Sequence, residues 1–493
     1  MKRYLLLLLL LTSCSPLLDP CEDDSAACRP EDVWAGPVLP VRATDVLPDF
    51  VDDPCPHPYT IQELIDMALR NNPITALTWA NARAAAFNWD ASQSALYPTI
   101  IWQSSIVFNV NKLNGSAAVS NTAGTGGNVI STSNLIPSGT SATTTTPSYS
   151  QHVVHNLSIN FLLADFGGRN ATIDAARNAL FVSDWTHNRS LQDVIFTLLS
   201  AYYNYEQALG LYEAARLDLI DTKATLDSAE AQYQAGVKTH VDVLQAKSSY
   251  VNAELALNQA WGSAKSYLAA IAAAVGLTAD SQFEVVPLPG KLPIDEVKQD
   301  LEQLVELAKD ARPDLAAAYA NYREAIANLN VARSNGKPTL SANIDYEWVN
   351  NVHFPSQNSS FRSGALVLDV PIFSGFLYYN QERQAAALVD AAYANLQVTE
   401  SNVLLNVVQS YYAFETAITT VKYSEEFLQY AQESFHATQL GYKMGINSIT
   451  DLTTNQTTLA NARAQLVQAR TQWLTALANI AYSTGVLGCC SNP

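Results

Sequence analysis

The sequence predicts a mainly α-helical chain that also carries four membrane-spanning β-strands and an internal two-fold repeat. Three observations support this prediction. Residues 201–276 recur without a gap as residues 410–485, two long segments contain no proline, and four shorter segments alternate apolar with polar residues. A register kept over so many residues indicates duplication, a long stretch free of proline is typical of a helix, and a period of two is typical of a strand.

Each copy of the duplicated segment predicts two helices joined at a tip, at residues 234–241 in the first copy and 443–450 in the second. A glycine in each tip ends the rising helix by taking the left-handed conformation. Thr or Ser then caps the returning helix, and an aspartate three residues later completes a capping box. The residues in these positions are Gly236, Thr239 and Asp242 in the first copy and Gly445, Ser448 and Asp451 in the second. The repeating unit is therefore a helical hairpin.

The duplication extends upstream of the hairpins. Residues 60–73 match residues 300–313, and each segment predicts a short amphipathic helix that ends at a proline. An alanine-rich helix follows in each half, at 74–95 and 314–334. The predicted divisions are a first repeat at 59–277, a linker at 278–299, a second repeat at 300–487 and a C-terminal tail at 488–493.

Four segments of about ten residues change to a period of two, which is the pattern of half-buried strands. The predicted strands lie near 99–110, 153–164, 339–350 and 361–371. One face of the first pair carries Trp, Phe and Ile, and the other carries Asn, Gln and Ser. About ten residues is the length of a tilted strand that crosses an outer membrane. A soluble four-stranded sheet is the alternative, and it leaves the contrast between the faces unexplained.

Two long segments, 169–235 and 376–444, contain no proline and follow a glycine-containing turn after each second strand. At 1.5 Å per residue, a continuous helix of this length extends for about 100 Å. Helices so long and so short of caps are typical of coiled coils or of the wall of a tube. Each half therefore predicts a long rising helix that leads into the hairpin tip.

The N-terminus has the pattern of an export signal. Two basic residues precede a leucine run that is too short to span a bilayer, which needs about 20 apolar residues. Residues 1–13 are therefore predicted to be a signal peptide, and residues 14–58 an extended tail. The sequence that ends at Cys14 resembles the lipobox of bacterial lipoproteins, which implies acylation of Cys14, including palmitate, and attachment to membrane lipid. Cleavage by an ordinary signal peptidase, with Cys14 incidental, is the alternative.

Composition excludes several classes of function. The formal net charge is −18, whereas nucleic-acid binding needs a basic face, so no nucleic-acid partner is predicted. The sequence shows no catalytic triad, no spaced set of metal ligands and no phosphate-binding loop, and it predicts no enzyme activity, no metal and no cofactor. Export permits disulfides, but their pairing stays open because removal of Cys14 leaves an odd number. The cysteines are Cys14, Cys21, Cys28, Cys55, Cys489 and Cys490.

Four membrane strands cannot close a barrel by themselves. An open edge in lipid leaves backbone groups unpaired, at a cost of several kcal/mol each. Several chains must therefore share one barrel. Three copies supply about twelve strands, which is within the range of outer-membrane barrels, and they place six helical hairpins side by side. Such an arrangement has the form of a tube.

The order of helix, strand pair and long hairpin, given twice, resembles the TolC-like outer membrane factors of drug efflux pumps and type I secretion systems. The most specific residues are Tyr233, Gly236 and Asp242 in the first tip and Tyr442, Gly445 and Asp451 in the second. The resemblance implies a homotrimeric channel with a 12-stranded β-barrel in the outer membrane of a Gram-negative-type bacterium and an α-helical barrel in the periplasm. It also implies closed tips that open on docking to a periplasmic adaptor (membrane fusion) protein and an inner-membrane transporter.

The resemblance further implies roles for individual tip residues. The gate residues would be Tyr233, Lys238, Asp242, Tyr442 and Asp451, and the adaptor-contact residues would be Gly236, Val237, Gly445 and Ile446. Two positions depart from the family pattern, because Asn447 replaces a basic residue and Thr454 replaces a second acid. Carboxylates that converge in a narrow lumen attract cations. The alternative is that both aspartates only cap helices, since the capping-box spacing is present.

A different class of protein stays open. A lipid-anchored coiled-coil adhesin or structural spacer could use the same helices without a pore. It does not account for the alternating strands or for the gapless duplication. The leading interpretation is therefore a passive outer membrane channel that is gated at the helix tips.

Overall fold

The computed structural model describes residues 31, 58–111, 148–279, 281, 283–288, 300–351 and 358–487. The predicted signal peptide, all six cysteines including Cys14, almost all of the tail at 14–58 and the segment 488–493 lie outside the described residues. So does most of the linker at 278–299. No helix within the described part of the chain is both long enough and apolar enough to cross a membrane.

The same order of elements occurs twice, as two helices, two strands and a long helical hairpin. The first set is α1 (Ile61–Asn71), α2 (Pro73–Gln93), β1 (Thr99–Asn111), β2 (Ser148–Ala164), α3 (Gly168–Gln234) and α4 (His240–Val275). The second set is α5 (Leu301–Ala311), α6 (Pro313–Asn335), β3 (Thr339–Asn351), β4 (Ser359–Asp369), α7 (Leu377–Lys443) and α8 (Ile449–Ser483). The prediction of a mainly helical chain with four strands is confirmed.

The chain forms two compact units, which are described separately. The sheet unit comprises Gln93–Arg169 and Arg333–Tyr379, and the helical unit comprises the described residues of Met1–Ser92, Asn170–Ala332 and Asn380–Pro493. In the sheet unit the strands pair antiparallel in the order β1-β2-β3-β4. Among the described residues, β1 and β4 therefore each have one edge without a strand partner.

The register brings the alternating apolar residues of the strands onto one face of the sheet. Trp102 pairs with Leu157, and Leu157 pairs in turn with Tyr346. On the same face the ring of His155 lies 5.6 Å from that of Trp102 and 5.8 Å from that of Trp348. Trp102 is 59% exposed in the single chain. Large apolar side chains on this face thus remain available for contacts outside the chain.

Two equivalent cores show the duplication in the packing of the helical unit. In each repeat the short helix, α1 or α5, packs against both helices of its own hairpin at the end away from the tip. The matching core residues are Leu64, Leu198 and Ile271 in the first repeat and Leu304, Val407 and Ile480 in the second. Burial of each side chain of this size stabilises the fold by about 1.5–3 kcal/mol. The short helix therefore fixes the base of its hairpin.

A glycine ends each returning helix where it meets the short helix. Gly276 follows α4 with φ of 86°, and a Cβ built on it would lie 2.6 Å from the carbonyl oxygen of Asn71. Gly485 repeats this arrangement with φ of 77° and a Cβ position 2.7 Å from the carbonyl oxygen of Ala311. Both the left-handed conformation and the close approach of the two backbones require glycine here.

Gly276→Ala is expected to lower the melting temperature of the purified protein by several degrees, because the added Cβ strains φ and displaces the backbone of α1. Gly262→Ala is the matched control, since Gly262 lies inside the same helix with nothing within 4 Å of its Cβ position. Alanine favours helix, so the control should retain or raise the melting temperature. Thermal unfolding is followed by circular dichroism. If Gly276→Ala unfolds at the wild-type temperature, the close approach of the backbones at Gly276 and Asn71 is contradicted.

Asp184 is a buried carboxyl group on the face of α3 that packs against α2. It is 0% exposed, and neither of its carboxyl oxygens has a hydrogen-bond partner in the described part of the chain. One turn earlier Leu180 packs with Ala86 of α2, and three residues later His187 Nδ1 lies 2.9 Å from Thr78 Oγ1. Burial raises the pKa of Asp184 to about 8. The group is therefore mostly protonated at neutral pH.

This burial predicts a pH-dependent loss of stability. The folded protein keeps the Asp184 proton up to about pH 8, whereas the unfolded chain releases it near the ordinary pKa of 3.8. Between these values the folded state binds more protons, so the free energy of unfolding falls as the pH rises. Asp184→Asn is expected to flatten this fall in a calorimetric series across that window. Asp174→Asn, an exposed site on the same helix, should follow the wild type, and parallel curves for all three proteins would overturn the assignment.

Candidate functional site

The first hairpin tip is closed by a set of backbone hydrogen bonds. Gly236 adopts φ of 75°. In this conformation the amide of Gly236 donates to the carbonyl of Tyr233 at 2.9 Å, and the amide of Val237 donates to the carbonyl of Gln232 at 2.9 Å. These two bonds form a Schellman motif, which satisfies the last carbonyls of α3. The second tip has the same pair of bonds, from Ile446 to Gly441 and from Gly445 to Tyr442.

Both predicted gate aspartates cap the returning helices. Asp242 Oδ2 accepts hydrogen bonds from the backbone amide and the hydroxyl of Thr239, each at 2.8 Å. Asp451 Oδ2 accepts from the amide of Ser448 at 3.0 Å and from its hydroxyl at 2.7 Å. The side-chain and backbone bonds from Ser448 lower the pKa of Asp451. Each carboxylate therefore stabilises the first turn of its helix and also leaves a negative charge at the tip.

A cation–π contact joins the two tips. The Nζ atom of Lys238 lies 4.8 Å from the ring centroid of Tyr442, so the first hairpin reaches the second at this point. Tyr442 is 1% exposed and lies in a cluster that includes Leu226 of α3 and Leu452 of α8. Burial, followed by the nearby charge of Asp242, raises the pKa of Tyr442. The structure thus brings three predicted gate residues, Lys238, Tyr442 and Asp242, into one group.

The second tip differs from the first at this point, because Asn447 occupies the position of Lys238. Its carboxamide nitrogen donates to the carbonyl of Thr438 at 3.3 Å and so folds back on its own hairpin. A Cβ at Gly441 would collide with this carboxamide, whereas the first tip has Gln232 at the position of Gly441. Sequence reasoning missed this pair. The available signal was a glycine inside α7, four residues before the glycine that ends it.

Two other predicted gate residues lie apart from the cation–π contact. Tyr233 is 46% exposed, and its ring lies 5.6 Å from that of His240 in its own hairpin. The side chain of Asp451 bonds within its own tip, and in the described residues no hydrogen bond joins it to the first hairpin. Sequence reasoning did not select His240, although it directly follows the capping residue Thr239.

Both tips end in exposed apolar side chains. Val237 is 65% exposed and Ile446 is 75% exposed. A Cβ built on Gly236 or Gly445 would meet nothing within 4 Å. Apolar surface collected at the end of an elongated element is typical of a contact with another protein. The predicted adaptor-contact residues are therefore accessible in the single chain.

A comparison with known families identifies the class of protein to which this chain is related. Residues 64–277 and 304–486 match the sequence model of a family described as outer membrane efflux protein. The chain belongs to the outer membrane efflux protein family. Protein CyaE of Bordetella pertussis is 25% identical over 479 residues, which cover 92% of this chain and 94% of CyaE. Outer membrane protein TolC of Escherichia coli is 23% identical over 321 residues, which cover 62% of this chain and 64% of TolC.

Solved structures of outer membrane channels share the fold of this family member. The outer-membrane channel OprN aligns with a TM-score of 0.73 at 17% identity, over 86% of this chain and 89% of OprN. The outer membrane protein VceC of Vibrio cholerae aligns with a TM-score of 0.72 at 17% identity, over 86% of this chain and 96% of VceC. The resemblance to TolC-like outer membrane factors is confirmed, and the chain is an outer membrane transport protein of this family.

Proposed function

We propose that the chain forms the exit duct of a tripartite efflux pump or a type I secretion system, through which cargo passes without a catalysed reaction. Membership of the outer membrane efflux protein family supports the duct, and the contact between Lys238 and Tyr442 supports a gate at the tips. A periplasmic adaptor binds the exposed tips and an inner-membrane transporter supplies the cargo. The proposed adaptor-contact residues are Gly236, Val237, Gly445 and Ile446.

The proposed working form is a homotrimer with a 12-stranded β-barrel and an α-helical barrel. Each chain offers four strands, with the edges of β1 and β4 unpaired in the described residues. Pairing β4 with β1 of the next chain gives the backbone N–H and C=O groups of both edges hydrogen-bond partners, which the hydrocarbon of a bilayer cannot supply. The exposed face that carries Trp102 then meets lipid. The repeats at 59–277 and 300–487 supply two strands and one hairpin each, and acylation at Cys14 adds a lipid anchor.

The proposed gate depends on a contact of moderate strength. A cation over an aromatic ring contributes about 0.5–2 kcal/mol, depending on how much water is excluded. The ring of Tyr442 is buried, and Lys238 is the cation that reaches it from the other hairpin. Such a contact keeps the tips together at rest and is weak enough for the binding energy of an adaptor to break. Tyr233, Asp242 and Asp451 complete the proposed constriction.

Lys238→Gln is expected to raise the single-channel conductance of the purified trimer in planar bilayers several-fold, because it removes the charge that joins the two hairpins. Lys247→Gln removes the same charge from an exposed position on α4 and serves as the control. A conducting trimer whose conductance is unchanged by Lys238→Gln would remove this residue from the gate. A non-conducting monomer or dimer would instead favour the anchored coiled-coil spacer.

Asp242→Asn and Asp451→Asn test whether the aspartates act beyond capping. Asparagine keeps an oxygen that accepts the capping hydrogen bonds but carries no charge. We expect each variant to lose only a little melting temperature, because the charge no longer interacts with the helix N-terminus, and to weaken the preference for cations, measured as the reversal potential in a salt gradient. Asp227→Asn, an exposed site on α3, is the charge control. An unchanged reversal potential in both tip variants would leave the aspartates as caps alone.

A further inference from the structure

A groove lies between the two helices of the first hairpin, one to two turns from the residues that pack against α1. It has a volume of about 180 Å³ and is lined mainly by aromatic and aliphatic side chains. The lining includes Tyr205, Leu209 and Tyr212 on α3 and Trp261, Ala264 and Lys265 on α4. Trp261 is 53% exposed, so the groove opens to the surface of the single chain.

The second hairpin carries an indole ring at the equivalent place. Ala264 lines the groove, and its counterpart in the duplication is Trp473, which is 1% exposed. The ring of Trp473 lies 6.0 Å from that of Phe414, which is the counterpart of Tyr205. Both rings belong to the core of the second repeat. The same helical scaffold therefore accommodates a planar aromatic group in one copy and leaves a groove in the other.

Other differences between the hairpins do not fill the space that the absent indole leaves. Tyr212 is larger than its buried counterpart Val421, yet the groove of about 180 Å³ remains beside it. Trp261 is larger than its counterpart Arg470 in apolar surface, but it stands at the exposed rim. An apolar cavity of about 150 Å³ is large enough to bind benzene. The groove therefore has room for one small aromatic ring system.

Lys265 adds a positive charge to the groove. Its counterpart is Leu474, a core residue of the second repeat. Lys265 is exposed, and it forms no ion pair within the described part of the chain. In the second hairpin the cation Arg470 is instead paired with Glu425 at 3.0 Å. An unpaired ammonium group beside aromatic walls favours a ligand that combines a planar ring with a carboxylate.

We propose that this groove binds a small planar aromatic carboxylate, with its ring beside Tyr205 and its carboxylate at Lys265. The ring occupies the place that Trp473 has between α7 and α8, so the bound ligand joins α3 to α4 in the same way. The site belongs to the first hairpin alone and does not depend on the proposed duct. The competing occupant is a side chain from a second copy of the chain, which would cover the groove in the assembled protein.

Indole-3-acetate is the probe for this site. Ligand-observed saturation-transfer NMR on the purified full-length protein in detergent measures its affinity, with protein-free micelles as the blank. A ligand of this size is expected to bind with a dissociation constant of about 1 mM or lower. Ala264→Trp supplies the side chain that the second hairpin has and should abolish binding. Ala270→Trp adds the same side chain at an exposed site on α4 and should bind as the wild type does.

The neutral analogue 3-methylindole separates the charge from the ring. Lys265→Gln is expected to weaken the binding of indole-3-acetate about fivefold, the ratio for one exposed ion pair, and to leave 3-methylindole unaffected. Lys265 is exposed, so this variant tests the proposal even if Ala264→Trp does not fold. Unchanged affinity of Lys265→Gln for indole-3-acetate, or binding retained by a folded Ala264→Trp, would contradict the proposal.

Quenching of Trp261 fluorescence by iodide identifies the competing occupant. The signal of Trp261 is obtained as the difference between the wild type and Trp261→Phe. An accessible Trp261 that becomes shielded when indole-3-acetate is added supports the proposed site. Absence of binding to the wild type would overturn it, and a Trp261 that is already shielded in that case would assign the groove to a contact between copies of the chain.

Discussion

The edges of β1 and β4, which have no strand partner among the described residues, are the constraint on which the proposed assembly depends. Each edge presents a row of backbone groups that water can satisfy and hydrocarbon cannot. A soluble sheet could leave these edges exposed, but a sheet whose apolar face carries Trp102 and Trp348 is suited to lipid. Closure with copies of the same chain then fixes the number of strands. The helical hairpins follow, since each chain that completes the barrel also brings two of them.

Duplication gives the two hairpins the same backbone, and a few side chains make them different. Both tips have a Schellman motif followed by a capping box, so both turn in the same way. At one equivalent position Lys238 reaches the other hairpin, whereas Asn447 folds back into the space above Gly441. Two identical tips would both reach across or both fold back. The difference lets Lys238 of the first tip contact the second hairpin, whereas Asn447 bonds within its own hairpin.

Local features were predictable from sequence, and contacts between distant segments were not. The capping boxes at Asp242 and Asp451 follow from spacing within four residues, and the strands follow from their period. The contact of Lys238 with Tyr442 joins residues about two hundred positions apart, which local patterns do not encode. Burial of Asp184 was hidden because a polar residue on a long helix normally faces solvent.

Each tip is held by backbone hydrogen bonds and a capping box, whereas the polar contacts between the two hairpins are made by side chains. This difference determines how the tips can separate. Between the hairpins, Arg463 donates to Asp221 at 2.8 Å and Gln245 donates to Thr453 at 3.2 Å. A neutral hydrogen bond contributes about 0.5–1.5 kcal/mol net and one between charged groups about 1.5–3 kcal/mol, because water replaces the lost partner. The buried cluster around Tyr442 is apolar and has no fixed direction, so one hairpin can slide along the other while most of that surface stays covered. Unwinding a tip would instead break its Schellman motif and its capping box together and leave backbone groups unpaired. Displacement of whole hairpins is therefore the less costly way to open the proposed duct.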